Sequence, residues 1–286
     1  MKTILNIPLL LAATLSVTFA QRDFSEVQIK STHVAGNVYM LEGSGGNIGV
    51  SVGDDGVLIV DDQFAPLAGK IEAAIREINS GALRFVLNTH WHGDHTGGNA
   101  HFGKKASIVA HTNVRKRLAA SSGTAQEALP VVTFDESLSV HFNGEEIRVI
   151  HVPPGHTDGD SVIHFTESGV VHVGDQFFNG RFPFVDLNSG GDVEGYVKNV
   201  ENILQHLPEG VKIIPGHGAL ATRSDFEEFH AGLVETIGIV QKRIDAGEKL
   251  DDIKAAGLPD KWASWGTGFI NTDRWIEIIY NSVTKK

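Results

Sequence analysis

Short apolar runs alternate along this chain with stretches whose apolar residues recur at helical spacing. Residues 38–41, 47–52 and 57–60 read as strands separated by Gly/Asp turns. Residues 66–79 place Leu67, Ile71, Ala74, Ile75 and Ile78 on one helical face, with Pro66 near the start. Further helical patterns cover residues 113–120, 193–207, 224–246 and 273–283, and apolar runs at 84–88, 147–152, 170–173 and 211–214 read as further strands. Strands interleaved with helices predict an α/β protein with helices on the outer faces of the sheets.

The polar residues that interrupt this pattern are concentrated where the strands end. Thr89-His90-Trp91-His92-Gly93-Asp94-His95-Thr96-Gly97-Gly98-Asn99 follows the run 84–88. Extended backbone sends alternate side chains to one side, so His90, His92 and Asp94 are expected to face a common point. Imidazole nitrogen and carboxylate oxygen are the ligand atoms that zinc and similar metals take. Three more strands end the same way: Pro153-Pro154-Gly155-His156, Val173-Gly174-Asp175 and Pro215-Gly216-His217. Each is a buried run, a Gly- or Pro-rich turn and a residue of ligand type. The remaining histidines have no such companions; His151 and His172, in strand-like segments, are expected in the core or behind a ligand as its hydrogen-bond partner.

His-x-His-x-Asp-His at a strand end, followed in order by His156, Asp175 and His217, resembles the signature of the metallo-β-lactamase superfamily. The resemblance spans nearly the whole chain after residue 20. It implies a four-layer αβ/βα sandwich with a dinuclear metal site at the strand ends. One metal falls to His90, His92 and His156, the second to Asp94, His95 and His217, and Asp175 bridges them. It further implies hydrolysis with two zinc ions, whose shared hydroxide attacks the substrate while Asp94 orients it. Members that use iron for redox work often carry Glu at the place of His92, which argues against an iron-dependent redox enzyme here. A zinc-binding protein without catalysis is the other alternative. Gly56 to Phe64 echoes Gly169 to Phe177, in keeping with the two-fold of that sandwich. Under this reading Asp61 is the counterpart of Asp175 in the half that does not build the site.

Composition narrows the partners. The 286 residues are 41% hydrophobic and 21% charged, an ordinary globular balance without a linker or low-complexity stretch, and residues 21–286 read as one domain. A net charge of −11 without a basic cluster argues against a nucleic-acid substrate. There is no cysteine, so neither a disulfide nor a thiolate ligand is available. Residues 1–20 begin Met1-Lys2, continue apolar from Ile4 to Val17 and end Thr18-Phe19-Ala20, the pattern of a secretory signal peptide. The expected product is periplasmic or secreted, without stable membrane insertion after cleavage. The sequence leaves its oligomeric state open, and Trp262, Trp265 and Trp275 are read either as a cap on the fold or as a self-association surface.

The substrate is expected to be a small molecule with a cyclic or activated acyl bond. The motif around His90 and the signal peptide favour a β-lactam, with lactones, esters and thioesters as alternatives. Phe178 stands where lactamases of the cysteine-containing type place the lysine that grips the drug's carboxylate, and Arg181 is the nearby cation. His95 together with Asp175 is the combination seen in glyoxalase II and the lactonases. Trp91, Phe64, Phe177, Phe178 and Phe184 are candidates for an apolar substrate wall.

Overall fold

The structure, a computed structural model, describes residues 23–285; the signal-like segment 1–20 lies outside them. Seven strands form the first sheet in chain order: β1 (Lys30–Ala35), β2 (Val38–Glu42), β3 (Ile48–Gly53), β4 (Gly56–Val60), β5 (Leu83–Leu87), β6 (Ser107–His111) and β7 (Val132–Phe134). β1 to β4 are antiparallel, and β4 to β7 run parallel. The second sheet holds β8 (Ser137–Phe142), β9 (Glu145–His151), β10 (Ser161–Phe165), β11 (Val170–His172) and β12 (Lys212–Ile214) in the order β12-β11-β10-β9-β8. Only its β11–β12 pair is parallel.

Strand alternation builds the layers. In β4, Leu58 and Val60 enter a core shared with Phe165, Val170 and Ile214 of the second sheet, while Val57 and Ile59 face the opposite way. There they meet Ile71 and Ile75 of α1 (Ala68–Ile78). In the second sheet Ile163 and Ile214 point inward to the shared core, whereas Val162 and Ile213 point outward. The outer helices on that side are α5 (Val193–His206), α6 (Arg223–Asp245), α7 (Leu250–Ala256) and α8 (Thr272–Thr284). The shorter α2 (Gly93–Thr96), α3 (Asn99–Phe102) and α4 (Thr112–Ala120) belong to the first half. Helix, sheet, sheet, helix is the four-layer αβ/βα sandwich expected.

Local chemistry sets the helix starts. The expected helix at 66–79 is α-helical only from Ala68, because Pro66 sits in a preceding 3-10 turn over Ala65–Leu67. Asp192 caps α5 through Gly195 N–H, and Asn271 caps α8 through Arg274 N–H. Thr222 and Asp225 cap α6 reciprocally, which moves its start one residue ahead of the sequence expectation. Among the described residues no helix is long and apolar enough to cross a membrane.

The tryptophans of the last third are core residues. Trp262, Trp265 and Trp275 are buried, and Trp275 stacks on Phe182 at 5.9 Å while its Nε1–H donates to Thr236 Oγ1 at 3.0 Å. They therefore cap the fold. Trp275→Ala is expected to lower stability by about 3–5 kcal/mol, the range for truncating a buried aromatic, read from the denaturant midpoint. Trp275→Phe, which loses the hydrogen bond but keeps most of the packing, is expected to cost about 1 kcal/mol.

Candidate metal centre

Four strand ends deliver the seven sequence candidates to one place. β5 leads into the His90–His92 segment, β9 into the His156 turn, β11 into Asp175, and β12 into His217. His90, His92, His156 and Asp175 form one group whose donor atoms all lie within 4.8 Å of one another; Asp94, His95 and His217 form a second. The expectation that Asp94 faces the same point as His90 and His92 is corrected. The chain turns into α2 at Gly93, which rotates Asp94 away from them and beside His95.

Asp175 lies between the groups. Its Oδ2 is 3.7 Å from His90 Nε2 and 3.3 Å from His156 Nε2, while its Oδ1 is 3.1 Å from His95 Nε2 and 3.4 Å from His217 Nε2. Gly216 makes this arrangement possible: a Cβ there would fall 2.1 Å from Asp175 Oδ1. Gly46 is held to hydrogen for the same reason, since a Cβ would meet the His95 ring at 2.1 Å.

Hydrogen bonds on the far side of each ring fix which nitrogen faces inward. His156 Nδ1–H donates to Phe184 O at 2.7 Å, leaving Nε2 as the inward lone pair. His92 Nε2–H donates to Asp186 Oδ2 at 3.0 Å, leaving Nδ1 inward. Asp61 serves two rings. Its Oδ2 accepts from His95 Nδ1–H at 2.7 Å and from the Thr89 hydroxyl at 2.7 Å, and that hydroxyl accepts from His90 Nδ1–H at 3.0 Å. Thr89 N–H completes the carboxylate at 2.8 Å on Oδ1. Asp61 holds this position in a left-handed backbone conformation, φ 63°. The sequence expectation that Asp61 is the counterpart of Asp175 in the uninvolved half is therefore corrected: Asp62 is the residue in register with Asp175, and Asp61, in register with Gly174, supports the site.

The donor set fits a metal on this structure's own terms. His92 Nδ1 is 3.1 Å from His90 Nε2 and 2.8 Å from His156 Nε2, lone pairs aimed at a common point with no proton between them. In the second group His217 Nε2 is 3.4 Å from both His95 Nε2 and Asp94 Oδ2. A tetrahedral set with bonds of about 2.1 Å has edges of about 3.4 Å. Asp175 Oδ1, buried, accepts no hydrogen bond. Burial lowers His156 to about 4 and His90 well below its ordinary value, keeping both neutral as ligands must be. Burial would raise Asp175, but the imidazoles around it, His95 first, hold it well below the carboxylate range. At His95 burial is outweighed by Asp175, Asp94 and Asp61, which raise it well above 6.5. Three carboxylates around one buried imidazole call for positive charge there.

A cavity of about 590 Å³ opens onto this cluster. His92, Asp94, Asp175 and His217 line its floor, and Phe64, Phe178, Phe184 and Arg181 its walls. Phe178 stacks on His217 at 5.0 Å. Two expected wall residues lie elsewhere. Trp91 does not line the cavity; its ring packs against the cluster of Ala110, Val114, Leu118 and Leu129, with the Arg117 guanidinium 5.9 Å from its centroid. Phe177 is buried against Phe226 and Phe229. This follows from alternation: Phe177 and Phe178 are neighbours and face opposite ways. His172 Nε2–H donates to Asn47 O, and His151 stacks on His111 at 3.8 Å, so each orders the backbone or core and not a ligand ring. Sequence reasoning missed Asp186, a carboxylate with no ligand-type neighbours in the chain.

A family model for the metallo-beta-lactamase superfamily matches residues 34–217, more than half the chain. A hydroxyacylglutathione hydrolase of Pelagibacter ubique is 29% identical over 174 residues, covering 59% of this chain and 65% of that protein. A metallo-beta-lactamase type 2 of Bacteroides fragilis is 24% identical over 134 residues, covering 47% of this chain and 52% of its own length. The chain thus spans under two thirds of either relative. A metallo-beta-lactamase from Pontibacter korlensis has a similar fold, with TM-score 0.62, 17% identity and coverage of 72% and 99%. A sec-alkyl sulfatase variant matches with TM-score 0.73 at 13% identity, covering 90% of this chain and 50% of that one.

Asp61→Ala removes the acceptor of His95 Nδ1–H and of the Thr89 hydroxyl. It is expected to weaken metal binding roughly 10–100-fold, measured by chelator competition, while the circular dichroism spectrum stays that of the parent protein.

Proposed function

The chain belongs to the metallo-beta-lactamase superfamily, and on that footing we propose that it is an exported, zinc-dependent hydrolase that opens a strained or activated acyl bond, a β-lactam first of all. The observation that carries the reading is the pair of donor groups sharing Asp175 on the floor of an aromatic-walled cavity. His90, His92 and His156 would hold one ion; Asp94, His95 and His217 the other. Bound there, zinc would supply a water acidified to a pKa of about 7 and a Lewis acid for the carbonyl oxygen.

The chain's own residues do the rest. Asp94 reaches the cavity with a partly exposed carboxylate, where it can accept a hydrogen bond from the attacking water and orient it. Asp186, Phe184 O and Asp61 hold the rings of His92, His156 and His95, so the floor is formed before substrate arrives. Phe64, Phe178 and Phe184 offer an apolar wall against which the substrate can pack. Arg181 is the only lysine or arginine among the described lining residues, and its planar fork suits a substrate carboxylate.

The lactam is supported by Arg181 and by the likeness to metallo-beta-lactamases; the leader-like residues 1–20 support export to a compartment where such compounds are met. A second reading, hydrolysis of a lactone, ester or thioester, is favoured by the hydroxyacylglutathione hydrolase among the relatives. An iron-dependent redox enzyme and a non-catalytic zinc binder are disfavoured by His92 and by the water-accessible floor.

Zinc-loaded protein beginning at Gln21 is expected to turn over nitrocefin-type lactams, to lose that activity to a chelator and to regain it with zinc. Arg181→Ala is expected to raise KM for carboxylate-bearing lactams about tenfold, the scale of one charge-assisted hydrogen bond, with kcat and neutral lactones little changed. Turnover of lactones or thioesters without lactam opening would move the assignment to the second reading. Inertness toward the whole panel would remove the hydrolase.

A further inference from the structure

Among the described residues five large hydrophobic side chains are exposed, and Phe269, at 85%, is the most exposed of them. A single exposed apolar residue needs no explanation in general. This one differs in its place: it is the only one of the five that lines the cavity above Asp94 and His217. Its ring lies 6.2 Å from that of Phe184 at 84°, an edge-to-face pair. Phe184 is in turn 5.7 Å from the His92 ring and 6.0 Å from that of His156. A line of aromatic rings therefore runs from the metal-ligand cluster to the mouth of the cavity.

The backbone that presents Phe269 is anchored. The 3-10 segment Asp260–Thr267 buries Trp262 and Trp265, and Trp265 O accepts a hydrogen bond from Phe182 N–H at 3.1 Å. Ile270 is buried on the other side, and Asn271 caps α8 directly after it. Held at both ends, the segment leaves the Phe269 ring over the cavity and not in the core. Gly268 lies against Arg181, since a Cβ there would be 3.8 Å from Arg181 Cβ and Cδ. Phe269 and Arg181 thus line the same cavity from adjacent stretches of chain.

We propose that Phe269 and Phe184 form an aryl-binding subsite beside Arg181, so that preferred substrates carry both an aromatic group and an anion. The subsite lies partly outside residues 34–217, the part matched by the family model, and is a specificity element of this chain. The choice of occupant rests on the hydrolase reading, but the subsite can be tested without turnover.

Calorimetric titration of zinc-loaded protein with phenylacetate and with acetate separates the contributions. The parent protein is expected to bind phenylacetate at least about tenfold more tightly than acetate, the return from burying one ring. Phe269→Ala, at an exposed position that leaves the fold alone, is expected to reduce that ratio to about threefold or less, and Phe269→Tyr to restore it. Arg181→Ala is expected to weaken both ligands together and preserve the ratio. A ratio near one in the parent, no measurable phenylacetate binding, or a ratio unchanged in Phe269→Ala would overturn the subsite. Protein that shows the expected ratios yet hydrolyses nothing would keep the subsite and sink the hydrolase; active protein with unchanged ratios would do the reverse.

Discussion

An ionised carboxylate sealed from water is tolerated only where positive charge or hydrogen-bond donors meet it. Asp175 is 5% exposed and is met by four imidazole nitrogens, two on each oxygen. At most one proton can serve each contact, and the lone pairs of His90, His92 and His156 point at one another as well as at the carboxylate. Protein atoms alone leave this centre over-supplied with acceptors. A divalent cation on each side of Asp175, as proposed above, would turn the same atoms into two satisfied ligand sets.

The scaffold follows from that demand. Each sheet contributes a parallel strand pair, β4–β5 and β11–β12, whose ends open at the cluster. In the echo between Gly56–Phe64 and Gly169–Phe177, Asp62 matches Asp175 and Asp61 matches Gly174, with which it shares a positive φ. His95 joins the two segments, with Nδ1 on Asp61 and Nε2 beside Asp175. Asn47 ties the halves together as well, its Nδ2–H groups donating to Pro215 O and Gly218 O around His217. Gly46 lies so close to the His95 ring, and Gly216 so close to Asp175, that neither position has room for a side chain beside these ligands.

Much of this was legible in the sequence. The seven ligand-type residues stand in short motifs at the ends of apolar runs, a local pattern that survives without knowledge of topology. The buried strands and amphipathic helices were readable because burial on both faces or on one stripe leaves a period. Strands β1, β6, β7 and β8 escaped notice; β8 carries Ser and His at positions that alternate toward solvent, which breaks up its apolar run. The supporting carboxylates were harder. Asp186 reaches His92 across 94 positions of sequence, and nothing near it in the chain announces that contact. Asp61 was noticed through the internal echo, but there it is Asp62 that matches Asp175, and Asp61 reaches the site by a contact with His95 that the echo does not announce. Trp91 shows the opposite error: it neighbours two ligands in sequence, yet alternation points its ring into the packing under α4.

The proposed chemistry requires that these seven residues hold two ions. Anomalous scattering from crystals grown with zinc, collected on either side of the zinc edge, tests it most directly. The expected map has two peaks, one among His90, His92 and His156 and one among Asp94, His95 and His217, with the Asp175 carboxylate between them. A map with no peak at the cluster, or with a single peak that Asp175 does not touch, would contradict it.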